Sequence, residues 1–231
     1  METQLSDAGR AIRMSSGRAV AARKSAHQRR VAPRQNPQIV RDLEAGLGYH
    51  RAGQRERAEQ LYRKILHREP HQPDALRLLG LIASERGRHE YAVQLLSRAL
   101  SALPGSAEVH YDLGCALQVL GRLDEAADHY RAATALKPDF AQAHCNLAAL
   151  LIPQGAHEAG LEHATRAAEL MPELAEAHFN RGAALARRND FLDAEAALRR
   201  ALALQPGNVL ALSERAWILA ELGRLDEAEA I

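Results

Sequence analysis

The sequence predicts an all-α protein built from repeated helical hairpins. Five prolines recur every 34 residues without an insertion, at Pro70, Pro104, Pro138, Pro172 and Pro206. Apolar residues make up 47% of the 231 residues but only 4% are aromatic. Ala and Leu, both strong helix formers, therefore supply most of the apolar material. Periodic prolines in a helix-forming sequence indicate short helices that end at regular intervals.

Counting from Ile39 divides the chain into five complete units and one partial unit. Their bounds are 39–72, 73–106, 107–140, 141–174, 175–208 and 209–231. Small residues occupy positions 8 and 20 of each unit, which predicts two antiparallel helices in close approach. The residues at position 8 are Gly46, Gly80, Gly114, Ala148, Gly182 and Ala216, and those at position 20 are Ala58, Ala92, Ala126, Gly160, Ala194 and Ala228.

Each unit also carries signals for a turn and for helix ends. Position 15 is Gly in five units and Asn189 in the fifth, which predicts a left-handed residue after the first helix. Ser106 and Asn208 are predicted to cap the helices that follow them. An acidic residue at position 18 suits the start of the second helix in most units, and the proline at position 32 ends that helix.

The fourth unit departs from the pattern at three positions. Pro153 falls in the last turn of its first helix, and Gly160 and Ala164 are the smallest pair at positions 20 and 24. Proline removes a backbone hydrogen bond, so we expect this helix to end early. Smaller side chains bury less apolar surface, so we expect the fourth hairpin to be the least stable of the array.

These columns resemble the tetratricopeptide repeat family over residues 39–231. The resemblance implies an α-solenoid of helix-turn-helix repeats, a right-handed superhelix whose concave groove binds a peptide or a partner protein. The function it implies is that of a protein-interaction scaffold. The repeats are also similar to the arms of bacterial O-GlcNAc-transferase-like or sulfotransferase proteins. The alternative is therefore a substrate-recognition arm whose catalytic domain lies beyond Ile231.

The same resemblance places positions 2, 5, 6, 9, 12 and 13 of each first helix in the groove. The predicted partner contacts are Tyr111, Asp112, Asn146, Phe179, Asn180, Arg187 and Trp217. Asn146 and Asn180 both occupy position 6, and an amide there offers a donor and an acceptor to a peptide backbone. Tyr111 and Trp217 are candidate anchors because exposed aromatic side chains often carry binding energy.

No catalytic, metal or cofactor site is predicted. His110, His144 and His178 all occupy position 4, but neighbouring helices pack about 8–10 Å apart, too far for one zinc ion at about 2.1 Å from each ring. We expect them to be part-buried packing residues. Cys115 and Cys145 are expected to be free thiols. The sequence has no HExxH, GxSxG or phosphate-binding loop, so we expect no enzyme activity in these residues.

Charge divides the chain into two parts. Residues 1–36 contain eight basic and two acidic residues, 8 − 2 = +6, and the remainder carries 22 − 27 = −5. We expect a disordered basic arm followed by the array at 37–231, with nucleic acid or anionic membrane as alternative partners of the arm. The absence of a long apolar run predicts no transmembrane segment. Two cysteines without a disulfide framework favour a cytoplasmic location. The sixth unit stops at its position 23, so we expect the natural protein to continue.

Overall fold

The computed structural model describes residues 36–231, and these residues form helices and no strands, as predicted. The helices are α1 (Pro37–Arg51), α2 (Arg55–Arg68), α3 (Pro73–Glu85), α4 (His89–Ala102), α5 (Ala107–Val119), α6 (Leu123–Leu136), α7 (Ala141–Leu151), α8 (His157–Leu170), α9 (Ala175–Arg187), α10 (Phe191–Leu204), α11 (Val209–Glu221) and α12 (Leu225–Glu229). The basic arm predicted at 1–36 lies outside the described residues, apart from Asn36.

The helices pair as stacked hairpins within one compact unit, Asp42–Ile231. Each hairpin packs on the next through the contact of its second helix with the following first helix, from α2 on α3 to α10 on α11. First helices of successive hairpins also contact each other. These contacts join α3 to α5, α7 to α9 and α9 to α11. The predicted α-solenoid is therefore confirmed for this unit.

The turn inside each hairpin is formed by the residue at position 15, as predicted. All five glycines at that position have positive φ angles, from 72° at Gly53 to 84° at Gly155. Asn189 takes their place in the fifth unit with a φ angle of 63°. Among residues 36–231, all other residues with positive φ are glycines. This left-handed residue reverses the chain after every first helix, because it ends the α-helical hydrogen bonding there.

Close approach of the two helices explains the small residue at position 8. A Cβ added at Gly114 would lie 2.6 Å from Tyr130 Cε1, and one at Gly182 would lie 2.7 Å from Leu198 Cγ. The large residue at position 24 therefore fills the space that glycine leaves. In the fourth unit the arrangement changes, since Ala148 and the small Ala164 belong to the same buried cluster. Volumes at positions 8 and 24 compensate each other.

Helix ends also follow the sequence signals. The side chains of Ser106 and Asn208 accept hydrogen bonds from Val109 N and Ala211 N, at 3.2 and 3.1 Å, so both predicted N-caps are confirmed. Second helices α2, α4, α6, α8 and α10 each end two residues before the proline at position 32. Proline disfavours helical conformation in the residue before it, which places the break there.

The fourth hairpin has a shortened first helix. Helix α7 has 11 residues and ends at Leu151, whereas α3, α5, α9 and α11 have 13 each, so the early end before Pro153 is confirmed. Ile152 then turns towards Gly160, where an added Cβ would lie 2.6 Å from Ile152 Cγ1. Ile152 is only 8% exposed. Ile152 therefore fills part of the space left by the small residues at positions 20 and 24. The lower stability of this hairpin stays a prediction.

Candidate protein-binding surface

The first helices of successive hairpins are joined through a repeated contact between position 5 and position 6 of the next unit. Its partners are 35 residues apart, one more than the repeat. Arg77 Nε lies 2.5 Å from Asp112 Oδ2, and Asn180 Nδ2 donates to the Cys145 carbonyl oxygen at 3.1 Å. Asn146 Nδ2 lies 3.5 Å from the Tyr111 hydroxyl in the same register. Position 6 therefore connects hairpins.

Two predicted partner contacts, Asp112 and Asn180, are buried between hairpins. Asp112 is 8% exposed and Asn180 is 6% exposed. Burial raises the pKa of Asp112, while the positive charge of Arg77 opposes that rise. The amide nitrogen of Asn180 is already bonded to Cys145. Both side chains therefore hold the array together, and their contact with a partner stays a prediction.

Tyr111 and Asn146 lie in one half-buried polar cluster. Asn146 Nδ2 donates to the Tyr130 hydroxyl at 3.2 Å, and that hydroxyl donates to Gln118 Oε1 at 2.8 Å. The Tyr111 ring stacks at a tilt against Phe140, with centroids 4.8 Å apart. Burial raises the pKa of the Tyr111 and Tyr130 hydroxyls, so both stay neutral donors at physiological pH. The cluster fixes the Asn146 side chain at the junction of two hairpins.

Trp217 and Arg187 form a second, more exposed cluster. Trp217 is 41% exposed, and the Phe191 ring packs edge-on against it with centroids 5.6 Å apart. The Arg187 guanidinium carbon lies 5.9 Å from the Trp217 ring centroid, and Arg187 Nη1 donates to Glu214 Oε1 at 2.9 Å. Phe179 is partly buried against the hydrophobic cluster that contains Leu185 and Leu198. These contacts hold an aromatic ring in one orientation while leaving much of it accessible to solvent.

Sequence reasoning missed the residues that support these two clusters. Phe191 and Tyr130 lie on second helices, whereas the predicted groove positions all lie on first helices. Phe191 is the single aromatic residue at position 17 among the six units, which is the signal that would have found it. Glu214 occupies groove position 6, but its ion pair with Arg187 could not be predicted from the repeat. The two residues are 27 positions apart, which matches no spacing between equivalent positions.

The position-4 histidines are packing residues, as expected. His144 and His178 are 8% and 9% exposed, and their Nε2 atoms bond to the Pro138 and Pro172 carbonyl oxygens. Within residues 36–231, no three His, Cys, Asp or Glu side chains converge as metal ligands. A contact that the sequence did not suggest joins His110 to His129 and His144 to His163, Nδ1 to Nδ1.

Both cysteines are free thiols, as expected. Burial raises the pKa of Cys145 to about 12 and also raises that of Cys115. A protonated thiol is a weak nucleophile, so neither side chain is activated for chemistry. In the described part of the chain, none of the helices has the length and apolar character needed to cross a membrane.

Comparisons with known proteins agree with this repeat architecture. Family models described as tetratricopeptide repeats match residues 119–155, 175–208 and 197–230. A model of the middle TPR-like domain of cilia and flagella-associated protein 70 matches residues 14–108. Among curated proteins, no sequence matches this chain.

Solved structures share the fold. PilF of Pseudomonas aeruginosa is 18% identical, with a TM-score of 0.72 over 83% of this chain and 87% of that one. YrrB, described as a TPR protein with an unusual peptide-binding site, is 23% identical, with a TM-score of 0.64 over 74% and 89%. MamA from Desulfovibrio magneticus RS-1 is 21% identical, with a TM-score of 0.64 over 75% and 98%.

Proposed function

Because this chain belongs to the tetratricopeptide repeat family, we propose that it is a scaffold that binds a partner protein or an extended peptide along its first helices. The observation that carries the proposal is the oriented, 41% exposed Trp217. A large aromatic ring left accessible in a defined orientation suits a binding anchor, because it buries much apolar area and loses little conformational freedom.

The Arg187–Glu214 ion pair beside Trp217 gives the anchor a polar rim. Arg187 and Glu214 side chains are 46% and 20% exposed. Polar groups around an aromatic anchor add hydrogen bonds and exclude water when a partner covers them. Peptide backbone groups fit this surface, since Arg187 donates and the Glu214 carboxylate accepts. The partner is proposed to cover the Trp217 ring and to reach both charges.

The Tyr111–Asn146 cluster is proposed as the second contact region. Adjacent helices are spaced about 10 Å apart, and an extended peptide rises about 3.3 Å per residue. Two or three hairpins separate this cluster from Trp217, so an extended segment of roughly six to nine residues would reach both. The peptide-binding site named for YrrB supports a peptide as the class of ligand, through a shared fold rather than shared residues.

The test begins with a partner captured from extract of the native cells and identified by mass spectrometry. Trp217 is the single tryptophan of the chain, so its fluorescence reports whether that partner covers the ring. We expect Trp217→Ala to weaken binding by about 2 kcal/mol or more, roughly thirtyfold. We expect Asn146→Ala to weaken it by about 0.5–1.5 kcal/mol, the net value of one hydrogen bond.

The matched control is Leu192→Ala. Leu192 is also a large apolar residue and is 73% exposed, but it lies on the second helix α10. We expect this variant to bind normally. Full binding by a folded Trp217→Ala variant, or an equal loss in Leu192→Ala, would refute the proposed surface. A non-catalytic role and a cytoplasmic location are part of the same proposal.

A further inference from the structure

Two adjacent hairpins each hold a pair of histidines that face one another. His110 Nδ1 lies 3.0 Å from His129 Nδ1, and His144 Nδ1 lies 2.9 Å from His163 Nδ1. The ring centroids are 5.2 and 5.0 Å apart. The partners occupy positions 4 and 23 of the third and fourth units, so each pair joins the first helix of a hairpin to its second helix.

The protonation of the second pair follows from its hydrogen bonds. His144 Nε2 lies 3.2 Å from the Pro138 carbonyl oxygen, which can only accept. His144 therefore carries its proton on Nε2 when neutral, and its Nδ1 accepts the hydrogen bond from His163 Nδ1. A metal ion between the rings replaces that hydrogen, and neutral His163 then carries its proton on Nε2. A backbone carbonyl that fixes the outer ring nitrogen is the usual second partner of a metal-binding histidine.

The His144–His163 pair borders an open hollow of about 460 Å³. Its lining includes Glu162, Arg166 and Glu169. Arg166 is paired with Glu169, with Nη1 3.2 Å from Oε2. The negative charge of Glu162 is close enough to favour a cation at both histidines. Water can therefore reach a metal ion placed between the two rings.

We propose that each histidine pair is a two-imidazole site for a late first-row divalent metal ion, such as Zn²⁺ or Cu²⁺. Imidazole nitrogens suit these ions and lie about 2.0–2.1 Å from them. Two nitrogens on one tetrahedral ion are then roughly 3.3 Å apart, so each pair opens by a few tenths of an ångström. Water completes the coordination, because no third protein ligand of these types joins either pair among residues 36–231.

Metal binding at either pair ties the two helices of one hairpin together. An ion that binds the folded chain and not the separated histidines raises the melting temperature, and the rise grows with the ion concentration relative to the dissociation constant. The inference is independent of the proposed partner surface, since positions 4 and 23 are not among the groove positions. The two can therefore fail separately.

The chain supplies a matched control for the test. His178 has the same position and the same Nε2 contact, to Pro172, as His144, but position 23 of its unit is Ala197. Replacing His129 or His163 with Ala thus introduces a residue that the array already carries there. We expect calorimetric titration of the full chain with ZnCl₂ to show two fewer sites in the His129→Ala, His163→Ala double variant. We expect the His178→Ala variant to bind as the wild type does.

Copper provides a second readout that does not depend on a variant. Electron paramagnetic resonance of the wild-type chain with one equivalent of CuCl₂ is expected to show coupling to two imidazole nitrogens. The double variant is expected to lose this spectrum and to melt at the same temperature with and without ZnCl₂. Equal zinc uptake by the wild type and the double variant, or a copper spectrum without paired imidazole coupling, overturns the proposal.

Discussion

Arg77 and Asp112, from successive hairpins, form an ion pair in which Nε lies 2.5 Å from Oδ2. The same register, position 5 to position 6 of the next unit, holds different pairs at the other junctions. The residues at these two positions are Leu43 and Leu78, Tyr111 and Asn146, Cys145 and Asn180, and Phe179 and Glu214. The same register thus carries apolar, charged and polar residues, and Arg77 and Asp112 are matched in charge. Exchanging one member alone would leave its partner unmatched.

We predict that Arg77→Leu destabilises the array and that adding Asp112→Leu restores it. Loss of Arg77 leaves the 8% exposed Asp112 carboxylate without its cation. A fully buried pair would lose about 3–5 kcal/mol. The Arg77 side chain is 30% exposed, so water offsets part of that loss and we expect about 1–3 kcal/mol. Urea unfolding followed by circular dichroism measures this difference.

The double variant copies the apolar pair Leu43 and Leu78, which are 8% and 6% exposed. It should therefore be at least as stable as the wild type, since replacing a buried ion pair with apolar residues is often neutral or stabilising. Arg131→Leu is the control, because its pair with Asp128 is exposed and contributes about 0.5 kcal/mol or less. A double variant as unstable as Arg77→Leu alone would contradict the explanation.

We predict that Gly182→Ala is destabilising and that Leu198→Ala partly rescues it. The added methyl group would lie 2.7 Å from Leu198 Cγ, and overpacking of this kind costs about 1–3 kcal/mol. Removing the Leu198 side chain makes room, and the pair becomes the Ala148–Ala164 pair of the fourth unit. Thermal unfolding of both single variants and the double variant gives the interaction free energy between positions 182 and 198. Additive losses would show that positions 8 and 24 do not share one space.

Tyr62 and Tyr130 occupy the same position 24, yet we predict opposite responses to loss of the hydroxyl. The Tyr62 hydroxyl is buried without a hydrogen-bond partner among the described residues, and burial raises its pKa to about 12. The Tyr130 hydroxyl bonds to Gln118 and Asn146. We expect Tyr62→Phe to be neutral or stabilising, whereas Tyr130→Phe should lose about 1 kcal/mol.

Chemical denaturation of the two phenylalanine variants tests this pair directly, because each variant removes one oxygen atom and no carbon. The aromatic packing is therefore the same before and after the change. A Tyr62→Phe variant less stable than Tyr130→Phe would mean that the Tyr62 hydroxyl has a stabilising contact.

The sequence predicted the fold because each structural signal acts locally. A left-handed residue is most readily Gly or Asn, and proline disfavours helical conformation in the residue before it, largely independent of the surroundings. Asn189 is the clearest example, since it replaces Gly at position 15 and adopts φ 63°. Helix ends, turns and the close approach at position 8 all follow from such constraints, and all were found in the described units.

The candidate surface was harder to predict because it depends on how hairpins shift against each other. Contacts such as Asn180 to Cys145 join residues 35 apart, one position beyond the repeat. That offset comes from the displacement of one hairpin along the next, which column alignment does not contain. Asn146 and Asn180 share a column, yet Asn146 is half-buried and Asn180 is 6% exposed. The histidine pairs required the antiparallel alignment of two helices within one hairpin.

Acidification is predicted to destabilise the third and fourth hairpins before carboxylates titrate. Burial lowers the pKa of His129, His144 and His163, and the neighbouring histidine lowers that of His129 and His163 further. The unfolded chain, with histidine pKa values near 6.5, therefore binds more protons than the folded chain as the pH falls below about 6.5. The three neutral histidines therefore stabilise the fold fully above that pH. Below it, the free energy of unfolding declines by at most about 1.4 kcal/mol per pH unit for each histidine.

The charges that face these rings set the size of the effect. Asp128 and Glu125 favour a charged His129, and Glu162 favours a charged His144 and His163, while Arg166 and Arg131 oppose it. Urea unfolding between pH 7.5 and 5.5 should show a smaller decline in the His129→Ala, His163→Ala double variant than in the wild type, because two of the titrating groups are gone. The His178→Ala variant keeps both pairs and should follow the wild type. A wild-type unfolding free energy that stays constant over this range would contradict the prediction, since the folded and unfolded chains would then bind equal numbers of protons.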